Sequence, residues 1–240
     1  MTILGLILMA AGFIGVLVCA KIQKTNPSIQ PVAILCALVM LGGLGTYFWF
    51  YWNKGKYEAQ AAAARQQIFN KALMDTIGKQ DGVKGKKIYW LTNDTTSDSH
   101  KACLEALKNA SGSEVVLPSA NGDEGMMMSI DAKTFKTEIA ALTDNDVILL
   151  DSEVSNITQE LDKAFNSKKG PRFVITDSAK NGMFNMKKIS AGFKNGKILF
   201  AVSTKSNIDQ EFEPDEDKLD EAFNNRYQIV KEYNEADWKM

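Results

Sequence analysis

The residues best suited to chemistry fall in three short polar clusters, each directly after an apolar run. Thr92, Asn93, Asp94, Thr95, Thr96 and Ser97 follow Ile88, Tyr89, Trp90 and Leu91. Asp151, Ser152 and Glu153 follow Val147, Ile148, Leu149 and Leu150, and Thr176, Asp177 and Ser178 follow Phe173, Val174 and Ile175. Asp, Asn and Ser combine acceptors and donors, so together they can bracket the hydroxyls of a small polar ligand, directly or through water. The candidate ligand-binding residues are therefore Asn93, Asp94, Ser97, Asp151, Ser152 and Asp177. The same residue types also cap helices, which gives Ser97 and Asp98 a second, structural reading.

Bond-breaking chemistry finds less support. His100 is the single histidine, so one chain holds no multi-histidine metal centre, and a Ser/His/Asp triad would depend on this one ring. Asp98, Ser99 and His100 read more simply as a capping turn. No Gly-x-Gly-x-x-Gly and no P-loop follow the first apolar run; Gly122, Asp123, Glu124 and Gly125 come after the second and lack the lysine. Met126, Met127 and Met128 offer soft ligands, but methionine more often fills a core gap or a partner contact. Cys19 and Cys36 lie in apolar runs and Cys103 stands alone, which leaves no disulfide framework. No catalytic residue, metal or cofactor is expected.

The elements that must position those clusters alternate. The short apolar runs, with residues 114–117 as another, have the continuous hydrophobicity of strands buried on both faces. Between them lie helical spacings: Cys103, Leu107 and Ala110; Phe135, Ile139 and Leu142; Ile157, Leu161, Ala164 and Phe165. Ser97 or Asp98, Asp131 or Thr134, and Asn156 with Gln159 supply helix starts. Strand and helix in alternation mean right-handed βαβ units and an α/β, three-layer, doubly wound, mostly parallel sheet. Ligands of such sheets bind beyond the strands' carboxyl ends, where the three polar clusters lie. Residues 189–193 and 198–202 around Asn195 and Gly196 read as a closing antiparallel β-hairpin. After Pro214 and its acidic neighbours, Leu219, Phe223, Tyr227 and Val230 trace a last helix.

Residues 87–93 and 97–107, then 144–151, and above all 155–165 (SNITQELDKAF) leading into 170–178 (GPRFVITDS), resemble the amino-terminal lobe of type I periplasmic binding proteins and their sugar-binding repressor relatives. The resemblance implies a Rossmann-like binding lobe over residues 86–178 with Asn93, Asp151 and Asp177 as its binding positions. The family's sugar-sandwiching aromatics are missing after Asn93. About 60 residues after Ser178 are too few for a second lobe, so a half clamshell would bind weakly or need a second subunit.

Ahead of this domain stand two apolar runs, residues 2–20 and 31–52, without a charged side chain. At about 1.5 Å per residue each reaches across a hydrocarbon core of about 30 Å. Tyr47, Phe48, Trp49, Phe50, Tyr51 and Trp52 followed by Lys54 and Lys56 form the belt expected where a helix leaves lipid. Glycines recur in both runs, so the two backbones can approach closely. Lys21 and Lys24 in the connecting loop favour a cytoplasmic loop with both termini outside; Lys54, Lys56 and Arg65 argue the reverse. A cleaved signal peptide ending near Ala20 is the alternative, against which stand the missing charged start and the long apolar stretch.

The organisation expected is a transmembrane hairpin over 1–52 (spans 2–20 and 31–52), a helical stalk over 53–78, the α/β domain over 86–207, and an acidic segment with a closing helix over 208–240. After residue 80 the chain carries 21 basic and 27 acidic residues, net −6. That sign disfavours nucleic acid, which wants clustered Lys and Arg. The reading is a non-enzymatic binding or scaffolding subunit in the cytoplasmic membrane, its domain extracytoplasmic. Membrane lipid, other membrane subunits or a second copy, and a small polar ligand are the expected partners. The competing readings are a cytoplasmic nucleotide-sensing domain coupled to a two-helix membrane effector, and an enzyme using Asp98 and His100.

Overall fold

The computed structural model describes residues 2–92, 96–117, 132–152, 154–180 and 185–234. It divides into two compact units, residues 1–64 and 65–240. The first contains α1 (Thr2–Gln23) and the beginning of α2 (Gln30–Lys79), which runs unbroken for 50 residues. Both helices are long and apolar enough to cross a membrane, with mean hydropathy reaching 2.7 and 1.9. Their large apolar side chains face outward rather than into a core: Ile3, Leu35 and Trp52 are 72, 61 and 83 % exposed. Glycine lets the two backbones meet. A Cβ on Gly12 would lie 2.5 Å from the Met40 nitrogen, and one on Gly43 would lie 2.6 Å from the Met9 nitrogen. Gly42 and Gly45 meet nothing and lie off this seam.

The second unit is an α/β sandwich around a six-stranded sheet of order β2-β1-β3-β4-β5-β6. The strands are β1 (Ile88–Leu91), β2 (Val115–Val116), β3 (Val147–Leu150), β4 (Arg172–Ile175), β5 (Ile198–Thr204) and β6 (Tyr227–Val230). All neighbours run parallel except β5 and β6. Strand side chains alternate between two cores, as the pleat dictates. Ile88, Trp90, Val147, Leu149 and Val174 face one core; Tyr89, Leu91, Ile148, Leu150, Phe173 and Ile175 face the other. The first is covered by the end of α2, by α3 (Asp98–Ser111) and by α8 (Leu219–Arg226). The second is covered by α4 (Ala132–Ala140), α5 (Thr158–Asn166), α6 (Asp177–Lys180) and α7 (Met186–Lys194).

Four sequence expectations need correction. The segment expected as a helical stalk is helical, but Phe69, Ala72, Leu73, Met74 and Ile77 are buried in the domain core. Its later turns therefore belong to the sandwich. Residues 189–193 are helical, not one arm of a hairpin. Asn185 caps α7 by accepting from the Lys187 N–H at 3.0 Å, and Ile189 and Gly192 pack inward at helical spacing. The Asn195, Gly196 pair ends that helix, with Gly196 at φ +67°; glycine serves a helix terminus as readily as a hairpin. The antiparallel pair that closes the sheet is instead β5 with β6, Thr204 opposite Tyr227 and Ala201 opposite Val230. The last helix accordingly stops at Arg226, because Tyr227 and Val230 satisfy the open edge of β5 better than another helical turn would. Finally, α5 starts at Thr158 behind a 3-10 turn over Ser155–Ile157, with no side-chain cap at Ile157. Asp131, Gly122 to Gly125 and Met126 to Met128 lie outside the described residues.

Candidate functional site

A cavity of about 300 Å³ opens at the carboxyl ends of β1, β3 and β4. The strand order reverses between β1 and β3, whose following helices α3 and α5 cover opposite faces of the sheet, and doubly wound sheets bind ligands at such a switch point. β1 delivers Trp90 and Thr92, β3 delivers Asp151, and β4 leads into Thr176, Asp177 and Ser178. The start of α3 adds Ser99, His100 and Cys103, and the end of β5 adds Val202 and Thr204. A further wall comes from α2 through Gln66, Asn70, Leu73 and Met74, and another from Arg226 and Tyr227 where α8 becomes β6.

Trp90 ties two of the polar groups together. Its indole Nε1–H donates to Asp151 Oδ2 at 3.3 Å, and its ring stacks on His100 with centroids 4.5 Å apart and planes at 16°. Thr176 Oγ1 donates to the other Asp151 oxygen at 2.8 Å. Burial pushes the Asp151 carboxyl up to about 6, against the opposing pull of the Thr176 and Trp90 hydrogen bonds. Asp177 behaves differently. Burial opposes its ionisation too, but Lys180 at 2.8 Å and the Thr204 N–H outweigh that and hold the carboxyl below its usual range. Lys180 also donates to Ser203 Oγ at 2.5 Å. On the α2 wall Gln66 Nε2 donates to Asn70 Oδ1 at 2.7 Å, and Gln66 hydrogen-bonds the Tyr227 hydroxyl. Burial raises the Tyr227 phenol, opposed by neighbouring Arg226 and by that bond.

Of the six residues expected to bind, Asp151 and Asp177 are brought to one cavity. Ser97 is not at its wall: its Oγ turns back to accept the His100 N–H at 3.0 Å, as the N-cap of α3. Ser152 is buried and does not line the cavity either. Asn93 and Asp94 lie outside the described residues. The Asp98 and His100 pairing does not form. Asp98 is 94 % exposed on its side chain and pairs with Lys101 at 3.0 Å, while His100 is buried against Trp90. Sequence reasoning missed Gln66, Asn70, Arg226 and Tyr227, since they reach the crevice from segments assigned to a stalk and to a docking helix. The available signal was polar Gln66 and Asn70 set one turn apart beside the apolar Phe69 and Leu73.

No family profile and no curated protein matches the chain. One solved structure does: a sugar ABC transporter from Actinomyces odontolyticus, at 13 % identity and a TM-score of 0.35. The match covers 57 % of this chain and 43 % of that one, so it spans less than half of the transporter chain's length.

Proposed function

We propose that this chain is a membrane-anchored binding protein, its α/β domain taking a small polar ligand in the crevice between β1 and β3 and its two apolar helices holding it in lipid. The cavity at the sheet's switch point carries the reading. Its volume is at the lower end of the roughly 300–1,000 Å³ of small-molecule sites, which favours a ligand smaller than a nucleotide. Its lining alternates apolar walls with hydroxyls, amides and carboxylates, the mixture that fixes a ligand's orientation. Binding without turnover is the favoured chemistry. Asp177 is engaged by Lys180 and Thr204, Asp151 by Trp90 and Thr176, and Asp98 stands away from His100.

For the membrane, outward-facing Ile, Leu, Phe and Trp over two helices suit lipid contact and would be costly in water. Lys21 in the last turn of α1 and Lys24 in the turn that follows support an extracytoplasmic domain.

The test is retention of small polar compounds by the full-length protein in detergent, read by mass spectrometry against the variant Ser178→Phe. Ser178 is exposed at the cavity wall, so phenylalanine there fills space without disturbing the core. Retention by the parent and its loss in Ser178→Phe is the expected result. Equal retention by both would remove the cavity from the account.

A further inference from the structure

We infer that the ligand of this pocket is a small organic oxyanion, a carboxylate or a phosphate monoester, whose negative group is received by the guanidinium of Arg226. The inference rests on the pocket reading above and concerns the charge of its occupant.

Three cations of α2 and α6 are already paired. Lys180 is paired with Asp177 at 2.8 Å, Lys79 with Asp75 at 2.6 Å and Asp220 at 3.0 Å, and Arg65 with Glu213. Arg226 differs. Among the described residues it makes no ion pair, and its buried Nε has no hydrogen-bond partner. A guanidinium carries five donors in a rigid fork, and leaving a buried donor without an acceptor costs free energy.

Its position at the last turn of α8 suits the helix dipole, and its head lies over Phe69 at 5.0 Å and near Tyr227 at 5.8 Å. Those contacts explain why the cation stays where it is. They leave its Nε–H without an acceptor, because a ring face supplies no oxygen. Both rings are buried, so the head is held in place before any ligand arrives.

The charges opposite are already spoken for. Asp177 is neutralised by Lys180, and both Asp151 oxygens accept hydrogen bonds, one from Thr176 and one from Trp90. The unmet demand at the cavity wall is therefore for an acceptor with negative charge. A carboxylate or phosphate matches the fork in pairs of parallel bonds. The Asn70 amide N–H groups and the Thr204 and Ser178 hydroxyls line the same cavity and suit the ligand's own hydroxyls.

The experiment is isothermal titration calorimetry on the full-length protein in detergent with four probes of similar size: D-glycerate, glycerol 3-phosphate, glycerol and ethanolamine. At least one of the two anions is expected to bind more than tenfold tighter than glycerol or ethanolamine, and the preferred anion tells carboxylate from phosphate. Arg226→Met keeps an apolar stem on Phe69 and removes the charge; it should weaken anion binding by about tenfold or more, the worth of a charge-assisted bond. Arg226→Lys should recover part of the loss, and unchanged far-ultraviolet circular dichroism in both variants would exclude misfolding. Absence of anion binding, tighter binding of glycerol or ethanolamine, or full anion affinity in a folded Arg226→Met would each overturn the assignment. If glycerol or ethanolamine binds and Ser178→Phe abolishes it, the pocket stands and only the anionic ligand falls.

Discussion

Trp90 is the residue on which the site's chemistry turns, since one side chain holds Asp151 by a hydrogen bond and His100 by stacking. Burial makes that carboxyl resist ionisation, although the Trp90 and Thr176 hydrogen bonds favour its charged form. An unfolded chain gives up the Asp151 proton near its ordinary 3.8, while the folded one keeps it to about 6. The folded state thus binds more protons in that window, and stability falls as pH rises from about 4 through about 6. Above it the buried carboxylate carries a steady cost of no more than about 3 kcal/mol, at about 1.4 kcal/mol per pK unit. Asp151→Asn removes this contribution. Urea unfolding of the parent and the variant between pH 4 and 7 should show the parent losing stability relative to Asp151→Asn as pH rises, and parallel curves would contradict it. Trp90→Phe keeps the ring stacked but deletes the indole donor, so the Asp151 titration should move to higher pH. Asp151 and Asp177 were readable because a polar residue ending an apolar strand has one place to go in a parallel sheet. Arg226 was not, because its significance depends on Phe69 and on Asp177 already being paired, neither of which is local in sequence.

Among the elements, those decided by a repeating apolar pattern agree with their sequence reading, and those decided by competition for an edge do not. The runs of β1, β3 and β4 are short, apolar throughout the buried part and bounded by polar residues, which favours buried strands. Tyr227 and Val230 fit a helical line and a strand equally well, and the free edge of β5 selects the strand. The later turns of α2 were misplaced for a related reason: alanine-rich spacing identifies a helix without saying which sheet it covers. In the hairpin, Gly12 allows the approach of α1 to α2. Gly12→Leu should force the helices apart and expose Cys19, which is 5 % exposed in the parent. N-ethylmaleimide labelling of Cys19 in detergent, mapped by mass spectrometry, is expected to rise, and unchanged labelling would speak against the seam. At the end of α3, Gly112 adopts φ +63° with its N–H on the Lys108 carbonyl. Gly112→Ala should cost about 1–2 kcal/mol, the penalty of a left-handed residue with a Cβ, measured by denaturant unfolding.

At the scale of the molecule, the division of labour follows composition. The apolar first unit exposes its side chains outward, whereas the second buries two cores on the faces of one sheet. The domain's acidic excess is partly met by basic residues of α2: Arg65 pairs with Glu213, Lys71 with Glu216 at 3.8 Å and Lys79 with Asp220. These pairs are largely exposed, and such pairs contribute little individually. Raising salt from 0.05 to about 0.5 M, where screening is strong, should therefore leave the domain's unfolding midpoint nearly unchanged. Two apolar runs and an alternating α/β pattern were plain from the chain alone; the pocket's third wall was not, because it comes from a helix that begins in the other unit. The most direct test of a binding domain held by a lipid-embedded hairpin is alkaline carbonate extraction of membranes from cells producing the full chain. The protein should stay with the membrane pellet at high pH, as spanning helices do; its release into the supernatant would contradict the account.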